Sequence, residues 1–230
     1  KFEFKNNTDN LQYFAALVER SNSVSSILFA SSGAVYKSSL TALSEISPLV
    51  SRATSVNRTN AYAQSKLDSE EVIQNISSSK IKVTIARCFT FCGPELPLTS
   101  HFAVGNFVSD ILARRPIHIK APCPVFRSYL HTDDLVKWLM VMVTDERASG
   151  QILNVGSQNA ISLLSVAETL AKHFNLSLKR AFPETEYNTR APTSYFPDVS
   201  KANMLLGLEP SESSIEAVLR MAETIKMSQT

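Results

Sequence analysis

Short apolar runs alternate with amphipathic stretches along the first ninety residues. Residues 8–21 read as a helix, with Thr8 or Asp9 as its cap. Residues 24–30 are a brief apolar run ending in Ser31-Ser32-Gly33, the pattern of a buried strand running into a turn. Residues 60–77 read as a second helix, and the β-branched stretch 81–86 as a second strand. Helix–strand–helix–strand order with short links predicts βαβ units and a parallel sheet.

The second half is less regular. Gly93-Pro94 and Pro97 break the chain after the strand at 81–86. A helix is expected over His101–Arg114, short strands at 117–120 and 127–130, and a helix from Thr132 to about residue 145, capped by Thr132 with Asp133 and Asp134. Residues 151–155 read as a strand. Ser162 opens a helix ending near His173, and 214–227 form the last one. No repeat or low-complexity segment interrupts this order, and the later segments predict a small second lobe against the sheet.

Composition narrows the class. At 230 residues, with 44% apolar and 19% charged positions, the chain has the balance of a soluble globular protein. A net charge of +2 is too small to suggest electrostatic binding of nucleic acid. No apolar run approaches the ~18 residues of a membrane span, and the polar stretch after Lys1-Phe-Glu-Phe leaves no signal peptide expected there. Three cysteines, Cys88, Cys92 and Cys123, argue against a disulfide framework and for a reducing, cytoplasmic setting. The first residue is Lys, so a fragment, a processed form or part of something longer is expected.

Two features carry candidate chemistry. Tyr62-Ala-Gln-Ser-Lys66 places a phenol and an ammonium on one helix face. The cation favours the phenolate and poises Tyr62 as a general acid or base. The alternative is a solvated helix face. Ser31-Ser32-Gly33-Ala34-Val35-Tyr36 stands at the end of a predicted parallel strand, where such sheets place their sites. The alternative there is a plain strand-to-loop turn.

Together these features resemble the extended short-chain dehydrogenase/reductase superfamily. More narrowly, they resemble its NAD-dependent epimerase/dehydratase family, which acts on nucleotide sugars. Further similar segments follow in the family's order: Arg87-Cys-Phe-Thr-Phe-Cys-Gly93-Pro94, Arg127-Ser-Tyr-Leu-His131-Thr-Asp-Asp134-Leu, Asn154-Val-Gly156-Ser, and Pro197-Asp198-Val-Ser-Lys201-Ala with Leu206-Gly207-Leu-Glu-Pro210. The resemblance implies an α/β fold: the C-terminal part of a Rossmann-like parallel sheet with a smaller mixed α/β substrate lobe. Residues 1–95 would be the remainder of the dinucleotide-binding domain and 96–230 mainly the substrate lobe.

It also implies a mechanism. NAD or NADP takes a hydride from the sugar while Tyr62 takes the hydroxyl proton. Lys66 holds the nicotinamide ribose and depresses the Tyr62 pKa. Ser32 hydrogen-bonds the reacting oxygen. Arg127 and Arg190 clamp the diphosphate of the nucleotide sugar, and Thr90 stands where many relatives carry a substrate-contacting Asn. A homodimer through the helices at 8–21 and 60–77 is carried over in the same way. The resemblance thus gives an epimerase or ketoreductase. The alternatives are a non-catalytic nucleotide-sugar-binding fragment and a 4,6-dehydratase, the last disfavoured because Gly33 and Ala34 replace the family's Asp-Glu.

The six glycines, at 33, 93, 105, 150, 156 and 207, are too scattered for a dinucleotide-binding turn. The chain is therefore expected to start just before the family's fifth strand. Residues 1–230 alone are then expected to be inactive, with an exposed sheet edge at 24–30. No metal site is expected: Cys88 and Cys92 lack a second pair of ligands and read as buried apolar groups. His131 reads as structural, and Trp138, Met140 and Met142 as core.

Overall fold

A computed structural model describes residues 3–51, 58–76, 80–98 and 102–229. In chain order it contains α1 (Glu3–Glu19), β1 (Ser26–Ser32), α2 (Arg58–Asn75), β2 (Lys82–Cys88), β3 (Phe91–Cys92), α3 (Ala103–Leu112) and β4 (Ile117–Ile119). These are followed by β5 (Val125–Arg127), β6 (Leu130–His131), α4 (Thr132–Thr144), β7 (Ile152–Val155), β8 (Ile161–Ser162) and α5 (Leu163–Phe174). The last elements are β9 (Leu178–Arg180), α6 (Glu184–Thr189), β10 (Thr193–Tyr195), α7 (Ser200–Leu206) and α8 (Ser214–Ser228).

The main sheet is parallel, in the order β1-β2-β7. The central strand β2 is buried along nearly all its length, as a strand covered on both faces must be. One face packs against α1 and α2 through Val18, Ile27, Ile73, Ile76, Val83 and Ile85. The other packs against α4 and α7 through Ala86, Trp138, Met142, Leu153 and Ala202. A separate core joins α3, α5 and α8 around Phe107, Ile117, Leu170 and Met221. Beyond β1 no further strand pairs among the described residues. Among those residues no helix is long and apolar enough to cross a membrane.

The expected elements form, with shifted bounds. β1 runs to Ser32, two residues into the predicted turn, because the pairing of Ser31 with Arg87 and Ser32 with Cys88 continues the ladder. The expected strand at 127–130 divides into β5 and β6, which belong to different sheets. The cap of α4 is His131 rather than Thr132: the backbone N–H of Asp133 donates to His131 Nδ1 at 3.2 Å. Asp133 and Asp134 occupy the first turn, where negative charge offsets the unpaired N–H groups. Ser162 caps α5 as expected, and Ser213 with Glu216 closes a reciprocal cap on α8. Part of the expected helix at 101–114 and of that at 60–77 lies outside the described residues.

Candidate active site

The carboxyl ends of β1 and β2 open into a cleft of about 730 Å³. Small-molecule sites have this size and, in parallel sheets, this place. Ser32 lies where β1 ends; its hydroxyl accepts from the Ala34 N–H at 3.2 Å, so it caps the one-turn helix Gly33–Val35. Its neighbours Ser31 and Ala30 line the same cleft.

α2 brings Tyr62 and Lys66 to the cleft from one face of the helix. The Lys66 ammonium donates to the Ala30 carbonyl at 2.8 Å, which ties the helix to the strand end. It stands 5.9 Å from the Tyr62 ring centre and 5.1 Å from that of Phe29. Burial lowers the Lys66 pKa, while Cys88 and Glu70 raise it. Tyr62 is 38% exposed and so is reachable from solvent.

One turn beyond Lys66, Glu70 is buried. Arg87 on β2 grips its carboxylate with two donors, Nη2 at 2.7 Å and Nε at 3.0 Å. Ser31 donates to the same carboxylate. Arg87 Nη1 reaches the Tyr36 hydroxyl at 3.0 Å, and Tyr36 donates to Asn154 Oδ1 at 2.8 Å. The chain of bonds therefore fixes α2, β1, β2 and β7 to one another directly beneath the cleft.

Arg127, at the end of β5, lines the cleft. Its Nη1 donates to the Phe126 carbonyl at 2.7 Å, and no carboxylate among the described residues pairs with it. Burial lowers its pKa, the mark of a cation without a full counter-charge. Thr90 lines the cleft too. The structure does not bring Arg190 there. It pairs instead with Glu186, one turn back along α6, and lies over the Phe182 ring at 5.1 Å. Local pairing on a short helix has claimed the guanidinium expected to clamp phosphate.

Of the cysteines, Cys92 is fully buried, and burial pushes its thiol up to about 12. Cys88 differs from the expectation of a buried apolar group: it is half-buried and faces the cleft, with its thiol pushed up to about 11 by burial against the opposing pull of Lys66. No group of three His, Cys, Asp or Glu side chains that could hold a metal exists among the described residues. His131 is buried and serves α4 as its cap.

Tyr195, on β10, is a cleft residue that sequence patterns did not reveal. It stands opposite Arg127 in the β5–β10 pairing, 5.8 Å from the Arg127 guanidinium to its ring centre. The Phe89 ring is 4.7 Å away on centres. The only sequence signal was its place just before Pro197-Asp198.

The residues suited to the nicotinamide-ribose end of NAD are present: a phenol and an ammonium one turn apart at a strand end. The diphosphate end has no glycine-rich turn in this sequence. Gly33 explains why no acid follows Ser32: a Cβ there would lie 2.6 Å from the Phe89 ring.

Comparison with known proteins gives the family and the fold. A model of the NAD dependent epimerase/dehydratase family matches residues 4–156. UDP-glucuronic acid decarboxylase 5 of Arabidopsis thaliana is 26% identical over 147 residues, covering 64% of this chain and 42% of the relative. The chain thus spans about two-fifths of that protein's length. Among solved structures, MoeE5 in complex with UDP-glucose and NAD superposes with a TM-score of 0.79 at 21% identity, covering 96% of this chain and 71% of the other. The UDP-glucuronic acid 4-epimerase from Bacillus cereus, in complex with UDP-glucuronic acid and NAD, gives 0.77 at 21% identity, covering 95% and 66%. These likenesses are to the fold.

Proposed function

Because the chain belongs to the NAD-dependent epimerase/dehydratase family, we propose that it carries the proton-transfer and substrate-holding part of a UDP-sugar epimerase or ketoreductase. The observation that supports this most is the convergence of Ser32, Tyr62, Lys66 and Arg127, from three separate stretches of chain, on one cleft. UDP is preferred as the nucleotide because the relatives and neighbours above are described with UDP-sugars.

Tyr62 takes the proton of the reacting sugar hydroxyl. Ser32 holds the same oxygen by a hydrogen bond. Lys66, fixed to the Ala30 carbonyl, holds the nicotinamide ribose. Arg127, free of any carboxylate among the described residues, clamps the diphosphate with its fork of donors. When bound, NAD or NADP supplies reversible hydride transfer. Dehydration across C5–C6 has no acid at positions 33 and 34 to drive it. Residues 1–95 serve the cofactor side and 96–230 mainly the sugar nucleotide. The homodimer belongs to the same proposal: α1 leaves Tyr13 69% exposed with Phe14 and Leu17 beside it, a face that a second copy would cover.

The test is turnover of UDP-glucose and UDP-glucuronic acid, with NAD and with NADP, by the protein that carries this chain. Calorimetric binding of UDP is measured alongside. Tyr62→Phe is expected to abolish turnover and leave UDP binding intact. Unchanged turnover would remove Tyr62 from its role.

A further inference from the structure

We propose that the hollow between α3 and the β4–β9 pair is a second binding site, one that takes a small sugar phosphate by its phosphate group. The hollow shares no lining residue with the cleft of Tyr62 and Arg127. It therefore stands independently of the function proposed above.

Strand register builds one wall. β4 and β9 run parallel, with His118 directly opposite Lys179. Ile117, Ile119 and Leu178 pack into the core of α3, α5 and α8. Alternation along a strand therefore turns His118 and Lys179 to the opposite face. Lys120, two positions after His118, lines the same hollow. The other wall is α3, and it is locked. Asp110 is buried; its carboxylate accepts from Arg115 Nη2 at 3.1 Å and from the His118 backbone N–H at 3.1 Å. The Arg115 N–H donates to the Asp110 carbonyl at 2.9 Å. One side chain thus holds the helix end, the guanidinium and the strand together before any ligand arrives.

Charge and size select the ligand. Three cations, Arg115, Lys120 and Lys179, line the hollow against one carboxylate, that of Asp110. Asp110 is already paired with Arg115, while Lys120 and Lys179 form no ion pair among the described residues. Two positive charges are left to be met. A carboxylate ligand would meet one of them, whereas a phosphate monoester carries about −1.5 to −2 at pH 7 and meets both. Lysine ammonium groups bind phosphate as point charges. The volume is about 340 Å³, inside the range of about 300–1,000 Å³ of small-molecule sites and far more than a bare phosphate fills. Asn106 and Ser109, from α3, line the remaining space. An amide and a hydroxyl suit the hydroxyl groups of a sugar.

The test is calorimetric titration of the protein that carries this chain, with Arg127→Ala introduced throughout so that the cleft does not compete for phosphate. The probes are glucose 6-phosphate, inorganic phosphate and free glucose. Glucose 6-phosphate is expected to saturate one site and to bind more tightly than inorganic phosphate, with no binding of free glucose. Adding Lys120→Ala and Lys179→Ala together is expected to weaken glucose 6-phosphate at least tenfold, the loss of two charge-assisted contacts. Both side chains are exposed, so thermal melts should show the fold unchanged. The affinity should also fall with added salt in the parent more steeply than in this variant. Unchanged affinity after the two lysines are removed would overturn the proposal, as would the absence of saturable binding. Equal affinity for inorganic phosphate and its sugar ester would overturn the assignment to a sugar phosphate.

Discussion

Glu70 on α2 and Arg87 on β2 form a two-pronged ion pair, with side chains only 5% and 4% exposed. A buried charge is tolerable only while its partner stays. Glu70→Ala or Arg87→Met alone is therefore expected to destabilise the fold by about 3–5 kcal/mol, and the double replacement by less than the sum of the two. Urea unfolding of the four proteins checks this. Because Glu70 follows Lys66 by one turn, the single variants should also loosen the bond from Lys66 to the Ala30 carbonyl.

Arg127 has a backbone carbonyl and a ring for company but no carboxylate among the described residues. Arg127→Ala is expected to weaken UDP binding at least tenfold, since charge-assisted hydrogen bonds to phosphate are worth about 1.5–3 kcal/mol. Calorimetry at two salt concentrations checks it: the wild-type affinity should fall with salt more steeply than that of the variant. Arg190→Ala, whose guanidinium is held by Glu186 away from the cleft, should leave UDP affinity unchanged.

Gly33 faces the Phe89 ring at a distance no Cβ tolerates. Gly33→Ala is expected to cost about 1–3 kcal/mol by overpacking. Phe89→Leu should recover part of that loss when combined with it, because the smaller side chain vacates the space. Denaturation midpoints of the single and double variants decide the matter. Equal losses with and without Phe89→Leu would place the strain elsewhere.

The cysteines give a pH dependence with a definite sign. Burial pushes the Cys92 thiol up to about 12 and that of Cys88 to about 11, from 9.0. Below about pH 9 both states keep these protons and the stability is fully present. Above it the unfolded chain ionises first and binds fewer protons, so stability falls as pH rises toward those values. Urea midpoints at pH 8 and pH 10.5 should show the drop, and Cys92→Ala should reduce its slope. Thiol reagents should reach Cys88 in the cleft sooner than Cys92, which is enclosed.

Much of this site is legible locally. A strand ending in Ser32 and a helix carrying Tyr62 and Lys66 announce themselves by spacing, because each feature lies within a few residues of chain. The strands β3, β6, β8, β9 and β10 do not, since two or three residues are too few to display alternation. Nothing in the sequence around Glu70 marks it as buried; Arg87, from a strand, makes it an interior residue. His131 replaced the expected Thr132 as a cap because an imidazole nitrogen can accept the same N–H that a hydroxyl would. Arg190 pairs with Glu186 at helical spacing on a helix too short to show in the pattern. Tyr195 reaches the cleft solely through tertiary pairing, and nothing in its immediate sequence carries that fact.

The distance along the chain between Ser32 and Tyr195 has a consequence for how the protein is made. The interval is 195 − 32 = 163 residues. At a synthesis rate of about 5–20 residues per second, the ribosome delivers the second of them roughly 10–30 seconds after the first. For most of that interval the serine, the phenol of Tyr62 and the lysine have already been made, while β10 has not. A nascent chain can thus build the sheet and α2 and still hold an unfinished cleft, which is completed as one of the last acts of folding.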